Sequence, residues 1–269
     1  MPYAYRERGA LRIHYELEGD PKGPPILLIR GLSRSSRYWY DVRPILAERG
    51  FRVLVVDNRG VGRTDSRGPG FSTADMADDV AAVLDQSEVH AAHVFGISLG
   101  GMIAMQLAIR HPGRVRRLVL GSTTFGGKER VPVPGEVIRD LVRSSRMSTS
   151  EAIRFTTPLT LDGEFLARRP EVIDEWIAIA ESEKRDRLAL LGQLVAAARH
   201  DASRDVRFIR SPTLVVTGDR DRLIPMDNSV RLSARIPGAE LRVLSGAGHD
   251  FPTERPEETA ALLEGWTRG

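Results

Sequence analysis

Five short apolar runs set the frame of this chain: Ile26-Leu27-Leu28-Ile29, Val53-Leu54-Val55-Val56, Val94-Phe95-Gly96-Ile97, Leu118-Val119-Leu120 and Leu214-Val215-Val216. None alternates with polar residues, so each reads as a strand buried on both faces of a mostly parallel sheet. Helical stretches lie between them. Ser72 followed by Asp75 is a variant capping box, and Met76, Val80, Val83 and Leu84 then recur at helical spacing. Pro256, Glu257 and Glu258 mark another helix start, with proline where no N–H is needed and acids at the positive dipole end. Leu11, Ile13, Tyr15 and Leu17 alternate with Arg12, His14, Glu16 and Glu18, which predicts a half-exposed strand with His14 outward. Strand-then-helix order on both sides of residue 120 predicts an α/β open sheet.

The order breaks between residues 128 and 205. Pro132, Pro134 and Gly135 open this stretch, and Val172, Trp176 and Ile179, then Leu188, Leu191, Leu194 and Val195, fall at helical spacing. The expected organisation is a core formed by residues 1–127 and 206–269, with 128–205 as a helical cap over one end. A length of 269 residues suffices for either one large or two small domains. There is no internal repeat, low-complexity segment or coiled-coil heptad, and the oligomeric state stays open.

Composition narrows the function classes. The apolar share of 41% and charged share of 28% exclude a disordered chain. No apolar run approaches the roughly 20 residues of a membrane span. Met1–Arg6 has no signal-peptide core, so a cytoplasmic protein is expected. The absence of cysteine excludes disulfides, thiolate metal sites and a cysteine nucleophile. The net charge of +3 does not point to nucleic acid, because the basic residues are dispersed and all but Lys22, Lys128 and Lys184 are arginine. His90 and His93 are three apart but not on one helix, so no metal site is expected. Neither a dinucleotide glycine fingerprint nor a phosphate-binding P-loop occurs.

Gly96-Ile97-Ser98-Leu99-Gly100-Gly101 follows a buried strand and precedes the helical run Met102, Met105, Gln106 and Ile109. That is the strand–turn–helix setting of a G-x-S-x-G nucleophile elbow, in which a tight turn lifts the serine oxygen above the sheet. A serine hydroxyl is a weak nucleophile until a base, held by a third group, takes its proton. Two later strands end in suitable loops. Leu214-Val215-Val216 runs into Thr217-Gly218-Asp219-Arg220-Asp221, and Leu241-Arg242-Val243-Leu244 leads to Gly246-Ala247-Gly248-His249. Loops past the C-terminal ends of strands are where open α/β sheets place ligand sites. Asp219 and Asp221 both qualify as the acid.

At these residues the chain resembles the α/β-hydrolase superfamily over nearly its whole length. The resemblance is carried by Gly96–Gly101, Asp57–Asp65, Gly218–Pro225 and Gly246–His249 in that family's strand-to-loop setting. It implies a mostly parallel sheet flanked by helices, with a helical cap between the sixth and seventh strands. Carried over, Ser98 is the nucleophile, His249 the general base, and Asp221 the acid by the count from Gly218, with Asp219 the competitor. Asp250 reads as a loop carboxylate. The backbone N–H groups of Leu32 and Leu99 are the implied oxyanion donors. Where relatives commonly have His-Gly, this chain has Arg30-Gly31-Leu32. Arg30 either meets a substrate carboxylate or packs behind the loop against carbonyls, the latter being favoured.

The expected activity is that of a serine hydrolase on a carboxylic ester or lactone, needing no cofactor and taking a small molecule as its partner. The resemblance is nearest to small esterases, enol-lactonases and cofactor-free haloperoxidases. Perhydrolysis and carbon–carbon bond hydrolysis use the same three residues, and acyl transfer needs only a drier site. A ligand receptor could keep the fold and the triad and stall after one turnover. Trp176 and Arg30 are the expected substrate contacts. Of Phe155, Leu159, Phe165, Trp176 and Ile177, two or three are expected to face the site. The aromatic share of 6% favours an aliphatic pocket. His14 and His111 read as structural, and the Asp57–Asp65 loop as held by its own hydrogen bonds.

Overall fold

In a computed structural model, described over residues 2–6, 9–66, 68–184 and 186–269, the apolar runs form the middle of one eight-stranded sheet. Met1, the start of the segment read above for a signal peptide, lies outside the described residues. The chain begins with strands β1 (Tyr3–Arg6), β2 (Leu11–Gly19) and β3 (Pro25–Ile29), then helix α1 (Val42–Glu48) and strand β4 (Arg52–Val56). Helix α2 (Thr73–Gln86), strand β5 (Ala92–Ile97), helix α3 (Leu99–Arg110) and strand β6 (Val115–Gly121) follow. Next come helices α4 (Gly135–Ser144), α5 (Thr149–Thr160), α6 (Gly163–Arg168), α7 (Val172–Glu181) and α8 (Arg187–Arg199). Strand β7 (Thr213–Gly218), helix α9 (Asp227–Arg235), strand β8 (Glu240–Leu244) and helices α10 (Phe251–Glu254) and α11 (Pro256–Arg268) close the chain. Among the described residues no helix is long and apolar enough to cross a membrane.

The strand order is β1-β2-β4-β3-β5-β6-β7-β8, antiparallel at β1/β2 and β2/β4 and parallel thereafter. Continuous apolar runs suit this sheet because alternate side chains serve two cores. Leu27, Ile29, Leu54, Val56, Val94 and Leu120 pack on one face with α2 and α3. Ile26, Leu28, Val53, Val55, Phe95 and Val119 pack on the other with α1 and α11. Each such side chain fully buried is worth about 1.5–3 kcal/mol. The Ser72–Asp75 capping box is formed at the start of α2, and Pro256 opens α11.

β1 has no apolar run and was not legible. The expectation for His14 is corrected: its side chain is buried, because the loop after β4 folds over that part of β2. Thr64 Oγ1 accepts from His14 N at 2.8 Å, Asp57 Oδ2 lies 3.1 Å from His14 Nδ1, and Arg63 Nη1 lies 3.2 Å from His14 Nε2. Asp57 also accepts from Arg63 N–H and, through its backbone O, from Thr64 Oγ1 within the loop, and from Ser36 N–H outside it, so the loop is held by its own bonds and by the segment after β3.

The segment between β6 and β7 carries α4–α8 and no strand among its described residues. It is fastened to loops at the C-terminal ends of the strands. Gln193 of α8 accepts from Ser33 N and donates to Arg59 O, each at 2.8 Å. Thr160 O of α5 accepts from Asp250 N at 2.8 Å. Leu161, Phe165, Val172, Trp176 and Ile179 form its own small core, against Tyr38.

Candidate active site

Ser98 stands between β5 and α3 with φ 58° and ψ −122°, a conformation that L-residues rarely adopt. The strain is held on both sides: Ser98 N donates to Gly121 O at 2.9 Å, and Thr123 Oγ1 donates to Ser98 O at 2.7 Å. Two glycines permit the turn by close approach. A Cβ on Gly96 would come within 2.2 Å of Gly100 O, and one on Gly100 within 2.1 Å of Ile29 O. Leu99 is the first residue of α3, so its N–H has no acceptor within the helix.

His249 follows the glycine-rich loop after β8, and Asp221 follows β7. Asp221 Oδ2 lies 2.8 Å from His249 Nδ1. The second oxygen of Asp221 accepts from the N–H groups of Leu223 at 2.9 Å and Ile224 at 2.8 Å, which fixes the carboxylate. Asp219 instead accepts from Gly246 N at 2.6 Å and braces the loop. Burial alone would lower the imidazole pKa, but the charge and hydrogen bond of Asp221, with the charge of Asp250, raise it above the ordinary 6.5. His249 has a side-chain hydrogen bond to Asp221 and none to Ser98. Such contacts commonly tighten only when substrate binds.

Arg30 neither bonds to carbonyls nor stands free. Its guanidinium is 1% exposed and grips Asp250 with two bonds, Nη1 to Oδ1 at 3.0 Å and Nη2 to Oδ2 at 2.7 Å. It also lies 4.5 Å from the centre of the Trp39 ring. Asn58 Nδ2 donates to Arg30 O at 3.0 Å. The loop carrying Gly31 and Leu32 is thereby fastened to the loop carrying His249. The carbonyl-bonding reading of Arg30 is corrected by this ion pair, whose partner is 220 residues away and invisible to local pattern.

Ser98, His249, Arg30, Leu32 and Asp250 line one cavity of about 140 Å³. Its apolar lining is aliphatic: Leu32, Ile97, Leu141, Leu159 and Leu223. Of the five residues expected to furnish the lining, Leu159 does so; Trp176 is wholly buried in the core formed by α7 and its neighbours, outside the cavity wall. The placement of Trp176 at the substrate is thus corrected: its ring faces Tyr38, at 5.9 Å between centres. Sequence reasoning missed Arg34, Leu141, Thr156, Thr160 and Leu223. Arg34 alone had a signal, three residues beyond Gly31 on the oxyanion loop. A larger groove of about 870 Å³ between β8 and α11 contains none of these residues.

The model of the alpha/beta hydrolase family matches residues 26–262. A protein of Serratia proteamaculans provisionally named carbamate hydrolase RutD is 32% identical over 260 residues, covering 94% of this chain and 95% of that relative. A 2-hydroxy-6-oxononadienedioate/2-hydroxy-6-oxononatrienedioate hydrolase of Paraburkholderia phymatum is 31% identical over 267 residues, covering 94% and 90% of the two chains. Among solved structures, the enol-lactonase of Burkholderia xenovorans superposes with a TM-score of 0.85 at 22% identity, over the whole of both chains, and shows the shared fold. The match spans most of the sequence, and the chain belongs to the alpha/beta hydrolase family.

Proposed function

We propose that this protein is a serine hydrolase that cleaves a small carboxylic ester or lactone through an acyl-enzyme on Ser98, with residues 128–205 acting as a cap over the site. The observation that carries this reading is the His249–Asp221 pair behind a cavity that Ser98 also lines. Ser98 Oγ attacks the substrate carbonyl while His249 Nε2 takes its proton. Asp221 keeps the imidazole in the tautomer that presents Nε2 as acceptor, and stabilises the imidazolium that forms. The N–H groups of Leu32 and Leu99 receive the oxyanion, where losing one donor typically costs about 2.7–4 kcal/mol of barrier. His249 then protonates the departing alcohol, activates a water, and the acid leaves Ser98 free.

Carbon–carbon bond hydrolysis on the same residues is a second reading, favoured by the 31% identity to the dienedioate hydrolase of Paraburkholderia phymatum. The relatives provisionally named carbamate hydrolases extend the substrate class to carbamates in the same way. Hydrolysis of short and medium-chain p-nitrophenyl esters by wild type and Ser98→Ala tests the proposal. Sustained turnover that falls by about 10⁴-fold or more in the folded variant is expected. A single burst without turnover would instead indicate a receptor that retains the triad.

A further inference from the structure

Among the side chains that line the catalytic cavity, four are charged or titratable: Arg30, Arg34, His249 and Asp250. Three are accounted for. Arg30 and Asp250 neutralise each other through two hydrogen bonds, and His249 is bonded to Asp221. Arg34 meets no carboxylate among the described residues. Its guanidinium carbon lies instead 3.8 Å from the centre of the Trp176 ring and 4.4 Å from that of Tyr38. Those rings are themselves fixed: Trp176 is buried to 0% exposure and Tyr38 to 3%, and Tyr38 Oη donates to Trp176 O at 3.2 Å.

The two buried rings, inclined at 72° to each other, confine the guanidinium by cation–π contact, and ring faces take up only part of its hydrogen-bonding capacity, so N–H donors remain for a ligand. A planar fork of this kind matches a carboxylate with two parallel bonds. The aliphatic lining reduces the competition from water, so an anion there would feel the unneutralised charge strongly. Because the cavity is small, a group that reaches Arg34 belongs to the same small molecule whose carbonyl meets Ser98.

We propose that Arg34 is a specificity-determining residue that binds a carboxylate on the substrate, so that the preferred substrates are half-esters of short dicarboxylic acids or lactones bearing a carboxylate. This inference rests on the serine-hydrolase reading of the site. It moves to Arg34 the role that the sequence left open for Arg30, whose own guanidinium is occupied by Asp250.

Monoethyl glutarate and ethyl valerate test it, because they share a chain length and differ at the far end, carboxylate against methyl. The wild type is expected to prefer the half-ester by about tenfold or more in kcat/KM at low ionic strength, less so as salt rises. In Arg34→Gln the ratio of the two kcat/KM values should fall about tenfold or more, and Arg34→Lys should restore part of it. A ratio in Arg34→Gln within about twofold of wild type, or no wild-type preference for the half-ester, would overturn the assignment. If Arg34→Gln does not fold, the wild-type preference and its loss with salt decide alone. Ser98→Ala separates the two levels of the account. Turnover surviving in Ser98→Ala defeats the serine reading, whereas Ser98-dependent turnover without an Arg34 effect defeats only this inference. Should neither ester be turned over, calorimetric binding of glutarate serves instead: affinity about tenfold weaker in Arg34→Gln supports the site, and equal affinity removes it.

Discussion

Asp219 and Asp221 lie two residues apart on the loop after β7 and meet different partners, one a backbone N–H of the neighbouring loop and the other the His249 ring. The exchange Asp221→Asn should therefore lower kcat by about 10⁴-fold through the wrong imidazole tautomer. Asp219→Asn should lower it by less than about tenfold, both read with a p-nitrophenyl ester. The pH profile follows from the same contact. His249 must be neutral to accept the serine proton, and the carboxylates of Asp221 and Asp250 hold its proton on, so the acid limb of kcat/KM should have its midpoint above 6.5. A midpoint below 6.5 would contradict that placement. For stability the sign is the same: the gain from the raised pKa is complete below 6.5 and lost as pH rises through the folded-state value. Ser98 and His249 were legible because an elbow and a glycine-rich loop are local patterns. The count from Gly218 likewise singled out Asp221, the carboxylate that meets His249, whereas the bond of Asp219 to Gly246 N was not legible, because it depends on how the neighbouring loop folds.

Between elements, the Arg30–Asp250 pair ties the loop after β3 to the loop after β8. Arg30→Met leaves Asp250 buried without its partner and should cost about 3–5 kcal/mol in urea denaturation. A double replacement, Arg30→Met with Asp250→Leu, should recover most of that loss, since the pair's own net contribution is small. A single-variant loss below about 1 kcal/mol would show that water reaches the pair and screens it. Strands buried on both faces announced themselves by composition alone. β1 and the inward turn of His14 did not, since a four-residue edge strand has no signature and the loop that covers His14 comes from residues 57–64. The helices between β6 and β7 were legible as helices. Their inward faces were not: Leu159 reaches the cavity, while Trp176 stays in the core around α7.

Across the whole molecule, the α4–α8 segment rejoins the sheet at His200, whose Nδ1 lies 2.9 Å from Thr73 Oγ1 at the start of α2. Burial lowers the His200 pKa to about 4, with Asp201 opposing and Arg130 assisting. The unfolded chain takes up this proton near 6.5 and the folded chain does not until about 4, so stability should fall as pH drops across that interval. His93, lowered to about 4 by burial and by Arg116 and Arg117, acts in the same direction. Melting temperature should therefore decline between pH 7 and pH 4.5, and less steeply in a folded His200→Gln variant. An unchanged slope would place the acid sensitivity elsewhere.

If Ser98 is the nucleophile of a serine hydrolase, it should be the residue that a fluorophosphonate labels, which mass spectrometry of the reacted protein reads. One adduct per chain is expected, on the peptide containing Ser98, with loss of esterase activity in proportion to labelling and no adduct in His249→Ala. Adducts on another residue, or turnover that continues when Ser98 is fully labelled, would contradict it.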